Sequence, residues 1–82
     1  MEKLPVVSGR EVVKVLMKVG FEIVGRKGSH IRLKRKINNK VFIVIVPDHS
    51  ELAKGTLTAI MRQSGLSRNE FLKSLRHKVT PS

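Results

Sequence analysis

Residues 28–47 have the sequence GSHIRLKRKINNKVFIVIVP and decide the fold of this chain. From Ser29 to Lys36, apolar and basic residues alternate, which predicts a β-strand with one face in the core and one face outside. The segment Ile37–Lys40 contains two adjacent Asn residues and predicts a hairpin turn, because Asn tolerates the positive φ that tight hairpins need. Val41 to Val46 is continuously apolar and predicts a following antiparallel strand, which Pro47 ends.

A helix and another strand are predicted on the N-terminal side of this hairpin. Ser8-Gly9-Arg10-Glu11 has the pattern of a capping box and predicts a helix that runs to about Val19. Gly20 is a typical C-terminal stop. Phe21 to Gly25 predicts a strand, and Arg26-Lys27-Gly28 a turn. The apolar helix positions recur at helical spacing and are expected to be buried: Val12, Val13, Leu16 and Met17.

Two helices are predicted on the C-terminal side. After a loop over Pro47–Glu51, a helix is expected from about Leu52 or Lys54 to Ser64, and Gly65 ends it. Ser67-Arg68-Asn69-Glu70 forms a second capping-box pattern and starts a short helix. The tail from His77 is expected to fray. The buried residues of these helices are predicted to be Leu57, Ile60, Met61, Phe71, Leu72 and Leu75.

The predicted fold class is α+β, with the order α-β-β-β-α and a short extra C-terminal helix. The helices would pack on one face of a three-stranded antiparallel sheet, giving a two-layer sandwich whose other sheet face is open. A chain of 82 residues predicts a single domain over residues 1–82, with an ordered core at about residues 4–76.

The charge of the chain points to a polyanionic partner. Seventeen Lys and Arg residues against six Asp and Glu give a net charge of +11, and no acidic residue lies between Glu22 and Asp48. Such an excess on a small domain attracts nucleic acid. No cysteine is present, and neither a signal peptide nor an apolar run long enough to span a membrane is visible. We therefore expect a cytoplasmic protein without disulfides that does not bind a membrane.

His30 is the candidate catalytic residue. Ile31 and Leu33 take the core side of its strand, so His30, Arg32 and Lys34 should point outward. Histidine exchanges a proton near neutral pH, and flanking cations stabilise a phosphorane. These are the groups that metal-free RNA cleavage needs, although composition alone does not distinguish this role from that of an incidental surface histidine.

The basic residues around His30 are interpreted as phosphate contacts, against the alternative of a solvated charged face. The three aromatic residues, Phe21, Phe42 and Phe71, all fit the core. Recognition of RNA shape and phosphate is therefore expected rather than stacking on single-stranded bases. The predicted contacts are Arg26, Lys27, Arg32, Lys34, Arg35 and Lys36.

Two further features leave alternatives open. His49 is either a second acid/base group or a loop histidine bonded to the backbone; together Asp48, His49 and Glu51 match no recognised metal-ligand spacing, so no metal or cofactor is expected. The apolar run Val41–Val46 should expose one of its two faces, which would dock a partner protein or a second copy of the chain unless both faces are covered.

The motifs in their order resemble the HicA (YcfA-like) toxin family. The resemblance runs from about Leu4 to Leu72. The motifs that support it, in chain order, are Ser8–Glu11 at the helix start, Gly20-Phe21, Gly28-Ser29-His30, Pro47-Asp48-His49, and Gly55-Thr56-Leu57 with Ile60. Residues Ile31–Lys36 are more basic than is usual in that family.

The resemblance implies a double-stranded-RNA-binding-domain-like fold and an mRNA interferase, a ribonuclease that a HicB-like antitoxin holds inactive. It implies that His30 is catalytic. Gly28 and Ser29 belong to the same motif and are expected to bind RNA, and His49 matches a recurrent position and is a possible auxiliary residue. A non-catalytic RNA-binding module of the same fold is the alternative, and a third hypothesis is a protein whose basic face chiefly docks an acidic antitoxin.

Overall fold

The structure is a computed structural model that describes residues 6–79, with side chains described for residues 6–75. Its helices and strands follow the predicted order, with the third helix as the expected C-terminal addition. In chain order they are α1 (Gly9–Lys18), β1 (Glu22–Lys27), β2 (His30–Ile37), β3 (Lys40–Pro47), α2 (Lys54–Ser64) and α3 (Arg68–Val79).

The three strands form one antiparallel sheet with β2 in the centre. β2 pairs with β3 without interruption from His30 opposite Pro47 to Ile37 opposite Lys40. The connecting turn is Asn38-Asn39, and Asn38 adopts the predicted positive φ, 55°. The pairing of β1 with β2 is interrupted between Ile23 and Gly25, where Val24 is the extra residue of a bulge.

The helices cover one face of the sheet only. α1 packs against β1 and β3, α2 packs against β3, and α3 packs against α1. Ile31 and Leu33 of β2, with Val44 and Val46 of β3, enter this core, and the opposite sheet face is open to solvent. The predicted α+β fold, with the layers and strand order of a double-stranded-RNA-binding domain, is confirmed.

Both predicted capping boxes are present. In α1, the Ser8 hydroxyl accepts from the backbone N–H of Glu11 (3.1 Å), and the Glu11 carboxylate accepts from the N–H of Ser8 (2.8 Å). Ser67 and Glu70 make the same reciprocal pair before α3. These bonds satisfy backbone donors that a helix start otherwise leaves unpaired.

The first strand begins and ends later than predicted. Phe21 stays outside the strand because its N–H donates to the carbonyl of Leu16 and closes the end of α1, while its ring enters the core. Arg26 and Lys27 were expected in a turn, but they pair with Ile31 and His30 as the last residues of β1. The turn is therefore the two-residue loop Gly28-Ser29, and the second strand starts at His30.

Two smaller predictions are corrected, and a third falls outside the described residues. α3 is helical to Val79, so residues 77–79 are helical instead of frayed. Met17 is half exposed, and Val15 takes its place in the core, because a helix turns 100° per residue and this brings residue 15 onto the face of Val12. The predicted N-terminal limit of the ordered core, residue 4, lies outside the described residues. Between residues 6 and 79 no helix combines the length and the apolar character that crossing a bilayer requires.

Candidate nucleic-acid interface

The open face of β2 carries a row of basic residues. His30, Arg32, Lys34 and Lys36 are all exposed and alternate with residues on the helix side. Neighbours in this row are separated by two residues of extended chain, or about 7 Å. This spacing is comparable to that of successive phosphates along an extended RNA strand, so the row can follow a nucleic-acid backbone.

The neighbouring strands give each basic residue a different setting. Lys34 stands opposite Glu22 of β1 in the register, whereas Arg32 stands between Gly25 of β1 and Ile45 of β3. No acidic residue is therefore opposite Arg32. The outward row of β3 is apolar and consists of Val41, Ile43 and Ile45, each between 38% and 49% exposed.

A depression opens beside His30 at the end of this face. Its volume is about 520 Å³, and it is lined by Lys27, His30, Arg32 and Ile45. The four residues come from three strands: Lys27 is opposite His30 in the β1–β2 register, and Arg32 is opposite Ile45 in the β2–β3 register. An imidazole, an ammonium, a guanidinium and an aliphatic side chain thus share one accessible site.

Asp48 holds two arginines next to the β1–β2 turn. Its carboxylate accepts from the Arg26 guanidinium at 2.6 Å and from Arg10 at 3.3 Å, and its side chain is only 13% exposed. These two hydrogen bonds, that of Arg26 first, lower the pKa of Asp48 below its ordinary value of 3.8. Asp48 is consequently ionised at neutral pH, and Arg26 is oriented beside the turn that precedes His30.

Backbone hydrogen bonds tie three segments together around this end of the sheet. The N–H of Asp48 donates to the carbonyl of Ser29 (2.6 Å), and the N–H of Gly9 donates to the carbonyl of His49 (2.9 Å). A Cβ on Gly9 would overlap the carbonyl oxygen of Pro47, so only Gly lets α1 approach the loop this closely. The start of α1, the β1–β2 turn and the β3–α2 loop therefore hold the strand end that carries His30.

Gly28 has a conformational role in this arrangement. Its φ is +58°, the left-handed region that glycine enters without strain, and it occupies the first position of the two-residue loop. The space above its Cα is empty, and its carbonyl accepts from Arg26 at 3.4 Å. The turn brings Lys27 and His30 into opposite positions at its base.

Comparison with known proteins identifies a family for this chain. The family model described as "HicA toxin of bacterial toxin-antitoxin" matches residues 9–66, well over half of the chain. The chain belongs to the HicA toxin family. Among curated proteins, no match was found. The matched span runs from the start of α1 to the residues after α2 and contains every residue of the depression.

The structure of this HicA-family chain brings together only some of the predicted site residues. Lys27, His30 and Arg32 share the depression, with Arg26, Gly28 and Ser29 at the adjoining turn. Lys34 and Lys36 lie further along the same face. His49 is exposed, and its N–H and carbonyl both make backbone bonds, but it does not line the depression.

Arg35, one of the predicted phosphate contacts, does not share the open face with the others. Arg35 lies on the helix side of the sheet, where its side chain runs past Gly20. Hydrogen bonds with Ser67 lower the pKa of Glu70, and the positive charge of Arg35 adds to that shift. The alternation of β2 requires this, because Arg35 has the same parity as Ile31 and Leu33. It therefore cannot join the row of His30.

Three residues of the site were missed from the sequence: Arg10, Asp48 as an anchor, and Ile45. Arg10 could have been predicted to pair with an acidic residue, because a cation in the first turn of a helix interacts unfavourably with the helix dipole and is stabilised by a nearby anion. Asp48 is that neighbour. For Ile45, the signal was the apolar run of β3, in which alternation places Ile45 outward once Val44 and Val46 are buried. Within the described residues, no three His, Asp or Glu side chains are grouped as metal ligands would be.

Proposed function

We propose that this chain is an endoribonuclease toxin that cuts mRNA without a metal ion and uses His30 as its acid/base residue. The observation that supports this proposal best is the placement of His30: it is exposed at the start of β2, in one depression with Lys27 and Arg32. An RNA chain that follows the basic row reaches the imidazole without any rearrangement of the core.

The chemistry follows from the groups present. The imidazole of His30 takes the proton of a ribose 2′-hydroxyl, whose oxygen attacks the adjacent phosphorus. The bond from phosphorus to O5′ breaks, leaving a 2′,3′-cyclic phosphate on one fragment and, once O5′ is protonated, a 5′-hydroxyl on the other. Lys27 and Arg32 stabilise the charge on the phosphorane oxygens. The proton that His30 has taken can then pass to O5′; His49, which lies outside the depression, is the alternative donor.

Phosphate contacts outside the depression supply affinity. Arg26, held by Asp48, lies at the turn formed by Gly28 and Ser29, and Lys34 and Lys36 continue the row on β2. Contacts of this kind bind RNA without regard to sequence and weaken steeply with salt. Lys34 and Lys36 place the RNA on the open sheet face. Arg26, which is opposite Ile31 in the register, holds the RNA from the sheet edge beside the turn, and His30 acts on the ribose that enters the depression.

The proposed inhibitor is a HicB-like antitoxin. An acidic protein that covers the basic row would exclude RNA and inhibit without altering His30. The exposed apolar row of β3, which runs beside the basic row, gives such a partner an apolar contact as well. Because mRNA and its translation are the proposed target, we place the protein in the cytoplasm.

The decisive experiment is incubation of RNA with wild-type protein and with His30→Ala, each in excess EDTA. We expect wild-type protein to cut RNA in the presence of the chelator and His30→Ala to lose about 10²–10⁴-fold in rate, the usual contribution of one acid/base group. Because His30 is exposed, its replacement should leave the unfolding temperature unchanged. His49→Ala, measured beside it, tests the auxiliary role.

The exposed basic row also fits the alternative of a non-catalytic RNA-binding module. That function predicts RNA that stays intact after long incubation with wild-type protein, and binding that needs Arg32 and Lys34 but not His30. If wild-type protein and His30→Ala cut RNA equally well, the protein is a nuclease but His30 is not its catalytic residue.

A further inference from the structure

The wall of the depression beside His30 is mostly apolar, although three of its four lining residues carry polar head groups. Long basic side chains commonly place their hydrocarbon stems along a wall and their charges at its rim. Ile45 is the one aliphatic lining residue, and 42% of its surface is exposed. The volume of about 520 Å³ is within the range of small-molecule pockets, roughly 300–1,000 Å³.

Strand propensity explains an isoleucine at this position only in part. Ile43 lies two residues earlier on the same face of β3 with 38% exposure, as expected for a β-branched residue on an edge strand. Ile43 faces Lys34 and lies outside the depression, whereas Ile45 faces Arg32 and lines it. What distinguishes Ile45 is its position within the wall that also contains His30.

The groups around Ile45 indicate what it contacts. Lys27 and Arg32 attract phosphate, and His30 in the proposed reaction acts on a ribose. A base joined to that ribose must lie within one nucleotide of the imidazole, and the apolar wall is the part of the site that suits its flat face. We propose that Ile45 contacts the base of the nucleotide at the cleaved bond, and that the substrate is therefore single-stranded RNA.

The restriction to single strands follows from the geometry of a duplex. In paired RNA each base is stacked on both faces and bonded along its edge, so its flat face cannot reach a protein wall. The wall offers Ile45 as an aliphatic surface, which accepts any base because every base has such a face. The sequence predicts recognition of shape and phosphate because its aromatic residues fit the core; the base contact proposed for Ile45 is aliphatic and so needs no exposed aromatic ring.

This inference rests on the proposed function for the role of His30, but its binding test does not need cleavage. The probe is a short 2′-O-methyl RNA, which lacks the nucleophilic hydroxyl, used as a single strand and as the same sequence in a duplex. Wild-type protein, Ile45→Ser and Ile43→Ser are compared by fluorescence anisotropy. Ile43→Ser is the matched control, since it loses the same side chain from the same face and strand.

We expect Ile45→Ser to weaken single-strand binding by about fivefold to tenfold, because covering the exposed part of one isoleucine contributes roughly that factor. Ile43→Ser should change it by less than about twofold, and duplex binding should be the same for all three proteins. With a cleavable single strand, Ile45→Ser should lower kcat/KM by a similar factor. Unfolding temperatures of the two variants verify that both are folded.

Several results would overturn the base contact. If Ile45→Ser and Ile43→Ser weaken RNA binding equally, the exposed apolar residues of β3 act by stabilising the strand and not by contacting a base. If Ile45→Ser weakens single-strand and duplex binding equally, Ile45 contacts the RNA backbone and not a base. If wild-type protein binds the duplex more tightly than the single strand, single-stranded RNA is not the preferred substrate. Unchanged RNA binding with weakened antitoxin binding would make Ile45 a protein contact. Failure of the proposed function is distinct, since it appears as cleavage that does not depend on His30.

Discussion

Replacing Gly9 by Ala tests how closely α1 must approach the loop that follows β3. Gly9 is the first residue of α1, is buried, and donates its N–H to the carbonyl of His49. A Cβ at this position would overlap the carbonyl oxygen of Pro47 and lie 3.2 Å from the Cα of Asp48. All of these contacts are with backbone atoms, so no flexible side chain can move aside.

The size of the effect follows from two opposing contributions. Alanine favours a helix over glycine by at most about 1 kcal/mol, and less in the first turn. Forcing an additional methyl group into a packed site costs about 1–3 kcal/mol. The second contribution exceeds the first because the obstacle is backbone. For a chain of this size each kcal/mol corresponds to about 4–8 °C, so we expect an unfolding temperature roughly 5–15 °C lower than that of the wild type.

Gly55→Ala is the matched control. Gly55 also lies in the first turn of a helix, α2, but nothing lies within 4 Å of the position of its Cβ. We expect this variant to be stabilised by up to about 1 kcal/mol, opposite in sign to Gly9→Ala. Thermal unfolding followed by circular dichroism measures both. If Gly9→Ala melts at or above the wild-type temperature, the contact between α1 and the loop is looser than the structure shows and the reasoning is refuted.

Two further predictions concern charge. Asp48→Asn should make stability less dependent on pH: the pKa of Asp48 is lower in the folded chain than its ordinary 3.8, so its ion pairs stabilise the fold fully above that pH and lose their effect as the pH falls below it. The difference in unfolding temperature between wild type and Asp48→Asn should therefore shrink from pH 6 to pH 2, and a constant difference would contradict this. Arg32→Ala should reduce the slope of log Kd against log salt concentration for single-stranded RNA by about 0.7, because one phosphate contact is lost. Arg35→Ala, on the helix side, should leave the slope unchanged. Equal slopes for the two variants would show that RNA does not bind along the open face.

Much of the fold could be predicted because it depends on local signals. The alternation of β2, the Asn pair in the hairpin and the two capping boxes each act over a few residues, and all are present as expected. The limits of β1 are harder to predict from the sequence. They depend on the hydrogen bond from the N–H of Phe21 to the carbonyl of Leu16 and on the pairing of Arg26 and Lys27 with β2. Both are contacts between segments, which a local pattern does not contain.

The candidate site divides in the same way. The outward direction of His30 and Arg32 follows from alternation in one strand and could be predicted. The anchoring of Arg26 by Asp48 spans 22 residues, and that of Arg10 spans 38, so neither is visible as a motif. Arg35 shows what charge alone does not reveal: the alternation that points His30 outward points Arg35 to the helix side.

The distribution of charge over the two sheet faces bears on what covers the open one. The helices bury one face, so the basic row of β2 and the apolar row of β3 lie side by side on the other. A second copy carries the same basic row and the same net charge of +11, and repulsion between the two copies opposes the apolar gain. RNA neutralises the basic row, while an acidic protein can neutralise it and also cover Val41 and Ile43. Under the proposed function, RNA and an acidic inhibitor would therefore compete for the same face, and the charge of that face opposes self-association.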